Sequence, residues 1–235
     1  MQELRAKRDA PVDSMGAEVL AEEGEHFEFQ TLVALMLSSQ TKDQVVAETM
    51  QRLKSQPAGL SVAAVRAMAP EALNELIARV GFHNNKTKFI KEAVELLHAQ
   101  HQGRVPDTLE GLLALPGVGP KMAFLVLNIA FGKTELGIGV DTHMHRMCNQ
   151  LGWTRSKTPE ETRRQLESWL PRPEWPHINL TMVGVGQMLQ QPRHRDLLVA
   201  HVRSWPDRAR VAQATALLRR LGLPSAALAA IQAPP

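Results

Sequence analysis

No tyrosine occurs in the 235 residues, and six phenylalanines and four tryptophans make up the 4% of aromatic residues. Any stacking on a nucleic acid therefore falls to Phe, Trp or His. Cysteine occurs once, at Cys148. A single thiol cannot close an intramolecular disulfide or supply a four-thiolate zinc or iron–sulfur site. No apolar run approaches the ~18–20 residues that span a bilayer, so no membrane partner is expected. The first 30 positions hold no signal-peptide apolar stretch. Their eight acids also argue against a transit peptide.

Hydrophobic residues, at 44%, suffice for a packed core. The length fits one large domain or two small ones. The net charge is +3, but its distribution is uneven. Of the 27 basic and 24 acidic residues, three and eight lie in the first 30 positions, so the remainder carries a surplus of eight bases. A basic body suits a polyanion such as DNA; a solvated mixed surface is the plainer alternative.

The apolar residues recur at helical spacing. Val46, Met50 and Leu53 share one face, as do Leu73, Leu76, Ile77 and Val80, with Gly81 expected as the cap that closes that helix. Phe89, Ile90, Val94 and Leu97 form a third stripe, stopped by Gly103. Asp107 with Glu110 is expected to open a fourth helix, and Pro120 a fifth that runs to Gly132. Thr158, Pro159 and Glu161 read as a capped helix start, and Pro171 as a stop. No sustained period-two pattern occurs. The expected fold class is all-α. Beyond Gln190 the chain has no Lys and no Glu but seven Arg. One amphipathic helix is expected there around residues 207–221, and Pro224 to Pro235 is expected to fray.

Leu115-Pro116-Gly117-Val118-Gly119 lies between two apolar stripes. Two glycines two apart allow a tight turn that exposes backbone N–H groups, and a helix begins at once. Gly117, Val118 and Gly119 can thus hold a phosphate oxygen at the positive end of a helix dipole; the alternative is a plain αα-hairpin. Lys121 stands in the first turn, where the dipole opposes a cation by about 0.3–1 kcal/mol. Its amine is a candidate nucleophile, since lysine amines form Schiff bases. Asp141, in Val140-Asp141-Thr142-His143, reads as a helix N-cap whose carboxylate can also take a proton or face a developing cation. His143 and His145 lie two apart and diverge on a helix, so no metal site is expected. His143 is a candidate phosphate contact.

These residues resemble a known family. Leu115-Pro116-Gly117-Val118-Gly119-Pro120-Lys121 and Val140-Asp141-Thr142-His143 are similar to the motifs of the helix-hairpin-helix DNA glycosylases. Leu37-Ser38-Ser39-Gln40-Thr41-Lys42-Asp43, Gly81-Phe82 with Lys86, and Trp169-Leu170-Pro171 resemble the eukaryotic branch of endonuclease III. The resemblance runs from about Leu4 to Gln187. It implies a two-lobed fold. A helical barrel lobe covers 30–136, with the helix-hairpin-helix at about 107–132. A second lobe comprises 1–29 plus 137–189, and 190–235 forms a divergent tail. It implies a bifunctional DNA N-glycosylase and AP lyase of base excision repair that removes oxidised pyrimidines. In that role Lys121 is the nucleophile, Asp141 its essential partner, Gln40 the wedge that fills the gap of an extruded base, and Phe82 a residue of a loop inserted into the duplex. The implied partner is double-stranded DNA with oxidised pyrimidines or abasic sites, bound by a monomer. The implied compartment is the nucleus, or the mitochondrion where an upstream targeting segment exists.

The family also carries four cysteines, spaced C-x6-C-x2-C-x5-C, around a 4Fe-4S cluster. Aligned through Gln187 and Pro192, those positions are Gln190, Leu197, Ala200 and Pro206. No cofactor is therefore expected, and the cluster loop is expected to be absent. Either the lineage replaced the cluster with a packed helix, or the tail is an alternative splice product or misassigned exon. The abrupt change of composition favours the latter. A catalytically weak DNA-binding isoform is accordingly the alternative function.

Overall fold

The computed structural model describes residues 1–5 and 10–232, and among these it holds helices and turns and no strand. The chain divides into two units, Ser14–Gly139 and Met1–Asp13 with Val140–Pro235. Two short helices, α1 (Pro11–Met15) and α2 (Ala17–Leu20), are followed by α3 (Phe27–Ser38), α4 (Asp43–Lys54), α5 (Val62–Ala67), α6 (Pro70–Leu76), α7 (His83–His101), α8 (Leu109–Leu113) and α9 (Pro120–Phe131).

Helix α3 is the axis of the first unit. Every residue from Phe29 to Leu37 is buried, as expected of a helix that is apolar all round. Against it pack the one-sided helices α4, through Val46, Met50 and Leu53, and α7, through Ile90, Val94 and Leu97, and also α9, which is buried all round from Ala123 to Leu127. The unit begins at Ser14, not at residue 30. Ala17 and Leu20 pack on its core, Lys54 donates to the Leu20 carbonyl at 3.0 Å, and Glu22 N–H donates to Gln30 Oε1 at 2.8 Å.

Two expected caps move. Helix α6 ends at Leu76, and Gly81 does not cap it. Helix α8 is capped by Thr108, whose hydroxyl accepts from Gly111 N–H. Asp107 instead pairs with Lys133 at 2.6 Å, and that hydrogen bond holds its carboxyl below the usual range.

The second unit contains α10 (Thr142–Leu151), α11 (Pro159–Glu167), α12 (Trp175–Gln190), α13 (Pro192–Arg203), α14 (Arg208–Arg220) and α15 (Ser225–Gln232). The capped start of α11 is as expected, with the Thr158 hydroxyl accepting from Glu161 N–H at 3.2 Å. The N-terminal residues join this unit where Val12 N–H donates to Gln187 Oε1 of α12 at 2.9 Å, and a buried ion pair within the segment sits against the same helix. Arg5 binds Asp13 with both terminal guanidinium nitrogens, and a side-chain carbon at Gly184 of α12 would lie 1.7 Å from Arg5 Nη1. Only glycine leaves room for that guanidinium.

The tail is folded: α14 stands where a helix was expected around residues 207–221, and α15 lies in the stretch expected to fray. Leu198, Val202, Val211, Ala214, Leu218, Leu221, Leu223, Leu228 and Ile231 are all buried, and α13, α14 and α15 pack on one another and on α12 and α10. Arg220 donates to the Leu151 carbonyl at the end of α10 at 2.8 Å, a favourable place for a cation. Residues 233–235 of the expected frayed stretch lie outside the described residues.

Candidate active site

The hairpin in the first unit is built by burial on either side of a turn. Leu112 and Leu115 anchor its entry, Val118 is buried behind it, and Val118 N–H closes on the Leu115 carbonyl at 3.1 Å. Gly117 has φ +78°, and a side-chain carbon there would meet the Phe89 ring at 2.8 Å. Two reasons therefore require glycine at that position. Gly119 is the N-cap of α9 and brings no side chain to its N–H groups, with Pro120 at the first helical position. A side-chain carbon on Gly119 would touch nothing within 4 Å. The free end of the helix thus faces open space. Lys121 follows in the first turn and is half-buried. Further along, Gly139 lies against this turn, where an added carbon would sit 3.1 Å from the Lys121 carbonyl oxygen.

In the second unit, Asp141 is the N-cap of α10, and its Oδ1 accepts from Met144 N–H at 2.8 Å. The helix forms there because Met144, Met147, Cys148 and Leu151 make one buried stripe. His143 is exposed. His145 turns to a polar cluster, with Nδ1 2.6 Å from Thr162 Oγ1. The two histidines diverge as expected.

Gln40 and Phe82 occupy adjoining turns of the first unit. Gln40 follows α3 and has φ +52°; Phe82 precedes α7 and has φ +58°. Left-handed backbone costs a non-glycine residue about 1–2 kcal/mol and persists only where the surroundings enforce it. Gln40 is exposed, and Phe82 is 61% exposed. Beneath the Gln40 turn lies Lys86. Its ammonium is buried and donates to the Leu37 carbonyl at 2.8 Å, the Ser39 carbonyl at 2.6 Å and Thr41 Oγ1 at 3.2 Å. Burial pushes Lys86 down to about 8, and three oxygen acceptors favour the charged form at neutral pH. The Thr41 hydroxyl also accepts from Gly81 N–H at 3.1 Å.

The model of the HhH-GPD superfamily base excision DNA repair protein matches residues 33–172, more than half of the chain. The chain belongs to the HhH-GPD superfamily. The endonuclease III homolog of Schizosaccharomyces pombe (strain 972 / ATCC 24843) is 50% identical to this HhH-GPD protein over 195 residues, 82% of this chain and 55% of that protein. Endonuclease III-like protein 1 of Mus musculus is 47% identical over 196 residues, 81% of this chain and 64% of its own length. The chain thus spans between half and two thirds of these relatives. Among solved structures, a non-covalent endonuclease III–DNA complex has a TM-score of 0.69 at 26% identity, covering 99% of this chain and 94% of that one. A trapped endonuclease III–DNA covalent intermediate, an estranged-adenine complex, has 0.66 at 28% identity, covering 81% and 89%.

The donor set of this HhH-GPD protein does not fit a 4Fe-4S cluster. Gln190 ends α12, Leu197 and Ala200 lie on α13, and Pro206 follows it; none is a thiolate. Cys148 is fully buried on α10. Burial, with a smaller push from the Asp141 carboxylate, raises its thiol to about 12. It is an apolar core residue, as expected.

Proposed function

We propose that this chain is a bifunctional DNA N-glycosylase and AP lyase that removes oxidised pyrimidines from duplex DNA. The observation that carries the reading is Lys121 in the first turn of the hairpin helix, within a family of base excision repair proteins. The hairpin grips a backbone phosphate with the N–H groups of Gly117 and Gly119, which positions the duplex without reading its sequence; the Val118 N–H, expected as a third donor, is spent on the Leu115 carbonyl. His143, exposed at the start of α10, adds a second phosphate contact. Gln40 and Phe82 enter the duplex as the damaged nucleotide turns out, at an unstacking cost of a few kcal/mol that damage lowers.

The Lys121 amine then attacks C1′ of the extruded nucleotide. The bond to the base breaks, and the base leaves with the electron pair and gains a proton. The Asp141 carboxylate faces the sugar cation that develops and accepts the proton the amine must lose. The ring-opened iminium acidifies the C2′ proton. Its loss expels the 3′ phosphate and nicks the strand, and water releases the lysine. One chain carries both motifs, so the active species is a monomer. The resemblance to the eukaryotic branch implies nuclear DNA as the substrate.

A catalytically weak DNA-binding isoform follows if the divergent tail leaves the second lobe without its cap. The buried residues of α13–α15 favour the active enzyme. Borohydride trapping on a thymine-glycol duplex tests the reading: wild type is expected to form a covalent protein–DNA adduct, and Lys121→Gln none. An equal adduct from Lys121→Gln, or none from folded wild type, overturns it.

A further inference from the structure

The hairpin and Asp141 account for the chemistry, but not for how two exposed residues from separate turns come to act on one base pair. Gln40 and Phe82 lie 42 positions apart in sequence. Each holds a left-handed backbone, which an isolated turn does not retain. The turns touch through backbone. A side-chain carbon on Gly81 would lie 2.4 Å from the Gln40 carbonyl oxygen, so the two chains approach as closely as glycine permits. Gly81 N–H and Lys86 Nζ share the Thr41 hydroxyl. The remaining donors of Lys86 end α3 and fix the turn after it, through the Leu37 and Ser39 carbonyls. Lys86 itself sits one turn into α7, with its N–H bonded to the Phe82 carbonyl at 3.1 Å. One residue is therefore bonded to both turns, its buried ammonium to the Gln40 turn and its backbone N–H to Phe82, while the Thr41 hydroxyl joins that ammonium to Gly81 N–H.

We propose that Lys86 is a positioning residue that makes the Gln40 and Phe82 turns a single two-pronged element, and that it serves base extrusion and not bond cleavage. The proposal rests on the glycosylase reading above. Losing the clamp frees each turn to leave its left-handed state. The prongs then no longer meet one base pair together, and misplacement of about 1 Å is enough to slow a step about a hundredfold. Cleavage at a pre-formed abasic site asks less of the prongs, since no stacked base must be removed.

The test compares single-turnover base removal at thymine glycol with strand nicking at an abasic site in the same duplex. A 2-aminopurine opposite the lesion reports wedge entry by fluorescence. Lys86→Met keeps the stem and removes the donors. It is expected to lose the fluorescence change and slow base removal at least about tenfold more than abasic nicking. Gly81→Ala attacks the same junction from the other turn without touching a buried charge, and is expected to give the same split. It decides the matter if Lys86→Met does not fold. Parallel loss of both activities, or an unchanged fluorescence signal in either folded variant, overturns the proposal. Wild type inert on both substrates sinks the glycosylase reading and this proposal with it.

Discussion

Gly81 presses its backbone against the carbonyl of Gln40 so closely that one added carbon would stand 2.4 Å from that oxygen. A periodicity reading makes Gly81 the cap of the preceding helix, where glycine would serve by its left-handed freedom. In the folded chain the left-handed residue is its neighbour Phe82, and Gly81 serves by being small. The same glycine is legible either way; only the reason changes.

Phe82→Gly separates stability from binding. Glycine accepts φ +58° without strain, and the side chain removed is 61% exposed. The melting temperature is expected to stay or rise. Affinity for a lesion duplex is expected to fall by about 1–3 kcal/mol, the usual worth of one aromatic–base stack. Thermal melts and fluorescence anisotropy titrations at one fixed salt concentration check this.

Asp141 has two roles that two substitutions distinguish. Asp141→Ala removes the acceptor of Met144 N–H and should cost about 0.5–2 kcal/mol of stability. Asp141→Asn keeps a capping oxygen and should leave stability within a few tenths of a kcal/mol. Both should lose adduct formation. Wild-type trapping by Asp141→Asn would leave the carboxylate a cap alone.

Cys148 should resist thiol reagents in the native protein at pH 8 and react with one equivalent in guanidinium. Its buried thiol titrates at about 12, against an ordinary value of 9.0. The folded state keeps its proton where the unfolded chain has lost it. That contribution is complete below about pH 9 and is lost as pH rises towards 12. Cys148→Ala should flatten the alkaline slope of a pH–stability curve. The purified chain should also hold far less than one iron atom, as metal analysis will show, because its donors do not fit a cluster.

The tail should behave as core. Leu218 is fully buried, and Leu218→Ala should cost about 2–5 kcal/mol in urea titrations. Arg210→Ala breaks an exposed pair with Glu3 and should cost no more than about 1 kcal/mol. Equal and small effects would mean that α13–α15 are not part of the cooperative unit.

Local order was legible because its causes are local. The stripes of α4, α7 and α9, the N-caps Asp141 and Thr158, and the hairpin with Pro120, Lys121 and Gly132 each depend on residues within a few positions of one another. The absence of thiolates at Gln190, Leu197, Ala200 and Pro206 needed no structure either. Tertiary structure alone decided the rest. Lys86 reaches carbonyls 47 and 49 positions away, Arg5 needs the empty side of Gly184, and the tail finds its core on α12 and α10. These relationships join segments far apart in sequence. No propensity or spacing encodes them; they exist only once burial has brought a donor and its acceptor, or a side chain and the glycine that admits it, to the same place.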